Sequence, residues 1–170
     1  HQGGTRVKEE RDFKDACGAH DVVVTSFALA RLDEKLLRSV TWRRVVVDEA
    51  QNIKNPQAAQ TRAILKLAAT HRLALTGTPV ENRLRDLWSI FNFLNPGYLG
   101  SAEAFRKRFA GPIERGGDAA TAARLQALVG PFILRRLKTD RAIIQDLPAK
   151  NEMKVYCPLT REQATLYEAV

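Results

Sequence analysis

The sequence is poor in the residues that build disulfide scaffolds and metal sites. It contains two cysteines and three histidines among 170 residues. Cys17 and Cys157 lie far apart and form no Cys-x-x-Cys pair, which argues against a disulfide framework and indicates two free thiols in a reducing compartment. The histidines lack the spacing of metal ligands, which argues against a zinc site as well.

Two further patterns are missing. No apolar run approaches the roughly 18 residues that a membrane-spanning helix needs, and no signal peptide opens the chain, so we expect no membrane partner. No lysine is preceded by glycine, which excludes a phosphate-binding loop of the form Gly-x-x-x-x-Gly-Lys-Ser/Thr within these residues. The first residue is His1 rather than Met, and we interpret the chain as a piece of a longer polypeptide.

Positive charge is in excess. The chain has 27 Lys and Arg against 19 Asp and Glu, which gives a net charge of +8 and a pI of about 9.9. Such an excess favours contact with a polyanion, because each neutralised phosphate releases counterions. A solubilising surface charge produces the same composition, and charge alone does not distinguish the two.

The first half of the chain has the pattern of an α/β fold with a parallel sheet. The predicted strands are residues 21–26, 45–48 and 73–76. Because these runs are apolar along their length rather than alternating, helices are expected to cover both faces of the sheet. A helix before the third strand is predicted to be capped by Asn55, with Pro56 at its first position, and residues 33–40 form an amphipathic link between the first two strands.

The second half is predicted to be mostly helical. Apolar residues from Leu84 to Leu94 recur at helical spacing, and Asn95-Pro96-Gly97 ends that helix. The further predictions are a helix capped by Ser101 and broken at Gly111-Pro112, a helix over Ala119–Val129 capped by Asp118, a basic helix over Phe132–Thr139, a strand over Met153–Cys157, and a helix that opens with the capping box Thr160-x-x-Gln163.

The strongest chemical signal is the segment Val45-Val46-Val47-Asp48-Glu49-Ala50-Gln51. An apolar strand that ends in adjacent carboxylates places both acids at the carboxyl edge of a parallel sheet, where ligands bind in open α/β folds. In phosphoryl transfer, an Asp at this edge holds the Mg²⁺ that bridges the terminal phosphates, and a neighbouring carboxylate polarises the attacking water. Taken alone, the pair also fits an acidic turn at the end of a strand.

A second segment, Leu73-Ala74-Leu75-Thr76-Gly77-Thr78-Pro79, follows about 25 residues later. Here another apolar strand runs into a tight polar loop, in which two hydroxyls flank a glycine and a proline fixes the exit. At the same sheet edge, this loop is able to hydrogen-bond the tip of the acidic strand and to sense the nucleotide state. Taken alone, it also fits a turn with Thr78 as the cap of the next helix.

Together, the two segments resemble motifs II and III of the superfamily 2 helicase-like ATPases, in the form found in the SWI/SNF family. The resemblance continues in order along nearly the whole chain, from the strand Val23-Val24-Thr25-Ser26-Phe27 to Gln163 and Leu166-Tyr167. The segments between are Asp86–Ile90, Phe93–Gly97, Phe132–Asp140 and Leu147–Lys150. With Gln51 where many relatives have His, the chain is similar to the DEAQ-box prokaryotic branch.

The resemblance implies the architecture. Residues 1–95 are expected to form the C-terminal half of a first RecA-like lobe of the P-loop NTPase type. Residues 96–150 are expected to form a helical protrusion and an inter-lobe linker, and residues 151–170 the start of a second RecA-like lobe.

The resemblance also implies roles for individual residues. Asp48 would coordinate Mg²⁺ through bound ATP, Glu49 would be the catalytic base, and Gln51 would contact the γ-phosphate side or couple it to motif III. The implied coupling residues of motif III are Thr76, Gly77, Thr78, Pro79 and Asn82. The candidate DNA contacts are Thr25, Ser26, Arg135, Arg136 and Lys138; for the last three, a structural role between the lobes is favoured, with phosphate contact or a solvated helix face as alternatives.

The expected function is ATP-dependent translocation on double-stranded DNA with remodelling of protein–DNA complexes, in a cytoplasmic, nucleoid-associated prokaryotic protein. ATP and Mg²⁺ are the expected cofactors, and duplex DNA and DNA-bound proteins the expected partners. Because the family's P-loop lies upstream of these residues, the 170-residue polypeptide alone is expected neither to hydrolyse ATP nor to bind it tightly. Two alternatives stay open, a catalytically idle DNA-binding or scaffold module of the same fold and an RNA helicase of the same superfamily.

Overall fold

The computed structural model describes residues 6–78, 83–136 and 153–168. The chain divides into two units, His1–Gly130 and Pro131–Val170. The three-part division at residues 95/96 and 150/151 stays a prediction. Within the described ranges, no helix is long and apolar enough to cross a membrane.

Helices make up most of the first unit, which also contains one strand–helix–strand motif. Its elements are α1 (Glu10–Gly18), α2 (Phe27–Leu32), α3 (Glu34–Arg38), β1 (Trp42–Val47), a 3₁₀ turn (Ala50–Ile53), α4 (Ala59–Leu65), β2 (Ala69–Ala74), α5 (Leu84–Leu94), α6 (Ala102–Phe105), a π-helical turn (Arg106–Ala110), α7 (Gly111–Gly116) and α8 (Ala119–Val129). A 3₁₀ turn, Gly130–Phe132, follows, and α9 (Arg161–Glu168) lies in the second unit.

The two strands form the predicted parallel pair. Trp42 lies opposite Ala69 and Val47 opposite Ala74, and α4 is the crossover between β1 and β2. On one face of the sheet, Val45 and Val47 pack into a core to which α1 through α5 all contribute side chains. This arrangement confirms the predicted α/β class.

The other face of this sheet is exposed. Val46, Leu73 and Leu75 keep 52%, 40% and 51% of their surface in solvent. The prediction that helices cover both faces is therefore wrong for the described part of the chain. The helices that pack against the sheet place their side chains in the core on the face that carries Val45 and Val47. Among the described residues, the opposite face is therefore left without a helix over it.

The prediction of a strand over residues 21–26 is also wrong. In the described chain, the sheet holds β1 and β2, and regular structure in this region begins only with α2 at Phe27. Val22 and Val24 are 73% and 72% exposed. A β-branched run becomes a strand only when a sheet and a packed face accept it, so its composition alone did not determine its structure.

The connection from β1 to β2 differs from the prediction in its boundaries. Asn55 does not cap α4; its side-chain oxygen accepts a hydrogen bond from the Gln57 N–H at 3.0 Å, which closes a turn before the helix begins at Ala59. This is the local side-chain turn that Asn forms in competition with helix capping. Strand β2 likewise begins and ends earlier than the predicted residues 73–76.

Two predicted helix caps are confirmed. The Ser101 hydroxyl accepts a hydrogen bond from the Ala104 N–H at 3.2 Å at the start of α6. The Asp118 carboxylate accepts one from the Thr121 N–H at 2.9 Å at the start of α8, and this hydrogen bond lowers the pKa of Asp118. Helix α5 is confirmed as well, since it spans the predicted residues.

The predicted helix break at Gly111-Pro112 is wrong. The chain passes from α6 through the π-helical turn directly into α7, with proline in the first turn of α7. Proline lacks an N–H and its ring clashes with a regular preceding helical turn, and the wider π turn accommodates both. Gly111 fits because a Cβ at this position would lie 3.1 Å from the Arg106 carbonyl oxygen.

In the second unit, the basic helix predicted over Phe132–Thr139 is wrong for its described part. Phe132 ends the 3₁₀ turn and residues 133–136 have no regular structure, while residues 137–139 lie outside the described residues. The predicted strand over Met153–Cys157 is irregular as well. The capping box is confirmed, because the Thr160 N–H donates to Gln163 Oε1 at 3.0 Å and the Gln163 N–H donates to Thr160 Oγ1 at 3.3 Å.

Helix α5 belongs to two hydrophobic cores. Ile90 and Phe93 pack into the core beside the sheet. Leu87, Trp88 and Phe91 pack instead against residues 99–129. One helix therefore joins the sheet to the helical segment, a name used below for residues 102–129.

Candidate functional site

The two predicted carboxylates lie in a sharp turn directly after β1. Glu49 has φ 48° and ψ 53°, the left-handed region, and among the described residues it is the non-glycine residue with positive φ. This conformation costs a residue with a Cβ roughly 1–2 kcal/mol. It turns the chain out of the strand and into the 3₁₀ turn; residues 48–53 are called the carboxylate turn below.

Backbone hydrogen bonds hold the carboxylate turn in this conformation. The Ala50 N–H donates to the Leu75 carbonyl at 2.9 Å, and the Leu75 N–H donates to the Val47 carbonyl at 2.8 Å, so the parallel pairing continues past the ends of both strands. The Glu49 carbonyl accepts from both the backbone N–H and the side-chain amide of Asn52, at 2.9 and 3.1 Å. These contacts offset the backbone strain at Glu49.

Both carboxylates are exposed at the carboxyl edge of the sheet. The Asp48 Oδ1 accepts a hydrogen bond from the Glu49 N–H at 2.9 Å, which orients the Asp48 side chain. Among the described residues there is no group of three or more His, Cys, Asp or Glu able to hold a metal ion. This donor set fits Mg²⁺ held by one or two carboxylates together with substrate phosphates, rather than a site made of protein ligands alone.

A chain of hydrogen bonds connects Glu49 to the loop after β2. The Gln51 side-chain amide donates to Glu49 Oε2 at 2.6 Å, and its oxygen accepts from the Thr76 hydroxyl at 2.7 Å. The Thr78 N–H donates in turn to the Thr76 hydroxyl at 3.2 Å. Gln51 thus uses both ends of its amide, and the expected contact between the loop and the tip of the acidic strand is made through it.

Of the remaining motif III residues, one lies within the described part of the structure and two lie outside it. Gly77 lies exposed in the loop between Thr76 and Thr78. Pro79 and Asn82 lie outside the described residues.

The predicted DNA contacts lie on separate parts of the chain. The Ser26 hydroxyl accepts from the Leu29 N–H at 3.3 Å and caps α2; its own O–H remains able to donate to a phosphate. The Thr25 hydroxyl is buried and has no hydrogen-bond partner among the described residues. Arg135 and Arg136 are exposed in the second unit, and Lys138 lies outside the described residues.

Sequence reasoning missed one residue that contacts the carboxylate turn. Ser89 is buried in the middle of α5, with 2% of its surface exposed. Its hydroxyl donates to the carbonyl of Ile53, the last residue of the 3₁₀ turn. The available signal was a single serine between apolar residues in an otherwise apolar stretch of helix.

These features define a class. A parallel strand–helix–strand unit, with two carboxylates after the first strand and a hydroxyl-bearing loop after the second, is the arrangement of RecA-like α/β domains. Residues 1–170 match the family model of the SNF2-related domain. The chain therefore belongs to the SNF2 family, also called SWI/SNF.

Curated relatives of the chain are much longer proteins. It is 50% identical over 168 residues to the putative ATP-dependent helicase/translocase YwqA of Bacillus subtilis, which covers 99% of this chain and 18% of that protein. It is 36% identical over 180 residues to the human DNA excision repair protein ERCC-6, which covers 99% of this chain and 12% of that protein. The chain thus spans less than a fifth of the length of either relative.

A solved structure agrees with the fold. The Sulfolobus solfataricus SWI2/SNF2 ATPase core in complex with dsDNA is 51% identical, with a TM-score of 0.69, over 89% of this chain and 32% of that chain. The S. solfataricus core domain alone matches with 47% identity and a TM-score of 0.68 over 99% of this chain and 33% of that one. These matches confirm the partial RecA-like fold.

Proposed function

We propose that the full-length protein is an ATP-dependent translocase on double-stranded DNA that remodels protein–DNA complexes. The observation that carries the proposal is the hydrogen-bonded path from Glu49 through Gln51 to Thr76 and Thr78. It joins a candidate hydrolytic carboxylate to a loop on the neighbouring strand, which is what coupling of hydrolysis to movement requires. The relatives named as a helicase/translocase and as an ATPase core with dsDNA support it.

In this proposal three residues of the carboxylate turn have separate roles. Asp48 would hold Mg²⁺ together with ATP, and Mg²⁺ bound there would supply charge stabilisation at the terminal phosphates. Glu49 accepts a proton from the attacking water, and its left-handed backbone turns the chain out of β1. Gln51 links the position of Glu49 to that of Thr76 through its two hydrogen bonds. These 170 residues contain no Gly-x-x-x-x-Gly-Lys-Ser/Thr motif that would grip the phosphates.

The test of the proposed function is the nucleic acid that stimulates hydrolysis. The full-length protein is expected to hydrolyse ATP faster with duplex DNA than with RNA or without nucleic acid. Stimulation by RNA instead would indicate an RNA helicase, and no hydrolysis under any condition would indicate an idle scaffold.

We place the protein in the prokaryotic cytoplasm at the nucleoid, where its proposed substrate lies.

The candidate phosphate contacts carry a separate prediction. Replacing Arg135 and Arg136 together by Ala is expected to weaken duplex binding uniformly across sequences and to lower the slope of log K against log salt by about 1 for each lost phosphate contact. Fluorescence anisotropy of labelled duplex at several salt concentrations measures this slope. Arg124→Ala, an exposed arginine on α8, serves as the control. An unchanged slope in the double variant would assign the two arginines a purely structural role.

A further inference from the structure

We infer that Ser89 is a positioning residue for the carboxylate turn, and that α5 couples this turn to the helical segment. The inference rests on the proposed function, because it concerns how Glu49 is held for hydrolysis. Three observations carry it: the contact of Ser89 with Ile53, the strained backbone at Glu49, and the attachment of the opposite face of α5 to the helical segment.

The first observation is a buried hydrogen bond between two elements. A serine in the middle of a helix commonly bonds the carbonyl one turn back in its own helix. Ser89 instead donates to the carbonyl of Ile53, a residue with no exposed surface. That carbonyl lies at the end of the 3₁₀ turn, where intrahelical donors run out, and leaving it buried without a partner is unfavourable.

The second observation is that the carboxylate turn is fastened at both ends. At one end, the Ala50 N–H is bound to the Leu75 carbonyl of the loop after β2. At the other end, the Ile53 carbonyl is bound to Ser89 of α5. A non-glycine residue stays in the left-handed region only when its surroundings hold it there. Release of the α5 end therefore allows the turn to relax and Glu49 to move.

The third observation is the firm attachment of α5 to the helical segment. The Leu84 N–H lies in the first turn of α5, where N–H groups lack an acceptor within the helix, and it donates to Glu114 Oε1 at 2.7 Å. The carboxylate also lies at the positive end of the α5 dipole. Trp88 and Phe91 pack with Phe105 of the helical segment. Packed helices move as rigid bodies rather than bending freely. A displacement of the carboxylate turn is therefore linked through α5 to a displacement of the helical segment.

The experiment uses the full-length protein. Ser89→Ala is expected to lower kcat of DNA-stimulated ATP hydrolysis about 10- to 100-fold, because small misplacement of a catalytic group has an effect of this size. The KM for ATP and the Kd for duplex DNA are expected to stay within about threefold, since Ser89 is buried with 2% of its surface exposed. Ser89→Thr, which keeps the hydroxyl, is expected to retain most of the activity.

The matched control is Ser39→Ala. It removes a hydroxyl that donates to the Leu36 carbonyl at 2.8 Å at the end of α3. This side-chain to backbone hydrogen bond lies outside the carboxylate turn, α5 and the helical segment, and kcat is expected to be unchanged. If Ser89→Ala does not yield folded protein, Ser89→Cys takes its place. The thiol is similar in size to the hydroxyl but is a weaker donor, so the same loss of kcat is expected. A kcat for the Ser89 variant equal to that of Ser39→Ala would overturn the positioning role.

The route through α5 has its own variant. Glu114→Ala removes the acceptor of the Leu84 N–H and is expected to lower DNA-stimulated kcat by about 3- to 10-fold, since it loosens α5 without touching the carboxylate turn. An unchanged kcat in Glu114→Ala would overturn the coupling through α5. Failure of the wild-type protein to respond to duplex DNA would instead contradict the proposed function, so the two failures are distinguishable.

Discussion

In the full-length protein, Glu49→Gln is expected to lower kcat of DNA-stimulated ATP hydrolysis by about 100-fold or more, the usual contribution of a positioned general base. The substitution is nearly isosteric. The Gln51 amide, which donates to Glu49 Oε2 at 2.6 Å, still finds an acceptor oxygen in the new side chain, so the hydrogen-bonded path to Thr76 is preserved. The loss therefore reports the missing charge and proton-accepting ability rather than a collapsed turn.

Asp48→Ala is expected to have a similar effect on turnover for a different reason, because it removes the carboxylate proposed to hold Mg²⁺ with ATP. Duplex binding is expected to stay within about threefold of wild type for both variants, since neither residue is among the proposed DNA contacts. Glu103→Gln is the control, because this exposed carboxylate pairs with Lys107 at 2.9 Å in the helical segment. Steady-state ATPase assays with saturating duplex make the comparison. Turnover near the wild-type rate in Glu49→Gln would show that another group activates the water.

The largest expected effect on stability is that of Phe93→Ala, about 3–5 kcal/mol in the free energy of unfolding. Phe93 has no exposed surface and lies in the core beside the sheet, together with Ala50 and Ile53 of the carboxylate turn. Its ring also lies beneath the Arg72 guanidinium, at 5.4 Å from the ring centroid. The substitution therefore leaves a cavity in the core to which Ala50 and Ile53 of the carboxylate turn belong.

Arg72 adds to this cost. Its guanidinium donates to the carbonyls of Phe93 and Leu67, both at 2.8 Å, and burial lowers its pKa. Removing the ring takes away the aromatic face on which this partly buried cation lies. The local loss thus includes more than the volume of the side chain.

Pulse proteolysis of the full-length protein in increasing urea measures the change, since cleavage within this lobe reports its unfolded fraction. Leu32→Ala is the control, because Leu32 is 62% exposed at the end of α2 and its truncation is expected to cost less than about 1 kcal/mol. Equal urea midpoints for the two variants would mean that Phe93 does not support the core.

Several elements whose signals are local were predicted correctly. Helix α5 has its apolar residues at helical spacing, and the caps at Ser101, Asp118 and Thr160 depend on side chains bonding N–H groups three residues away. Such contacts need no distant partner, so the residue order contains all the information they require.

Elements whose structure depends on distant partners were predicted poorly. Residues 21–26 and Met153–Cys157 have strand-forming compositions, yet the described sheet contains neither. The exposed face of β1 and β2 was missed for the same reason, since an apolar strand does not reveal which of its faces a helix will cover. The π turn before Gly111 was missed because a proline normally signals a break.

The sequence by itself determined the family, the placement of Asp48 and Glu49 after an apolar strand, and the neighbouring Thr76-Gly77-Thr78 loop, because these features are contiguous and ordered along the chain. Only the tertiary structure showed that Glu49 adopts a left-handed backbone, that Gln51 joins it to Thr76, and that Ser89 binds the far end of the turn. The physical reason is separation along the chain. Thr76 lies 25 residues from Gln51 along the chain, and Ser89 lies 36 residues from Ile53. Contacts between residues so far apart in sequence form only after the parallel strands and α5 have packed together.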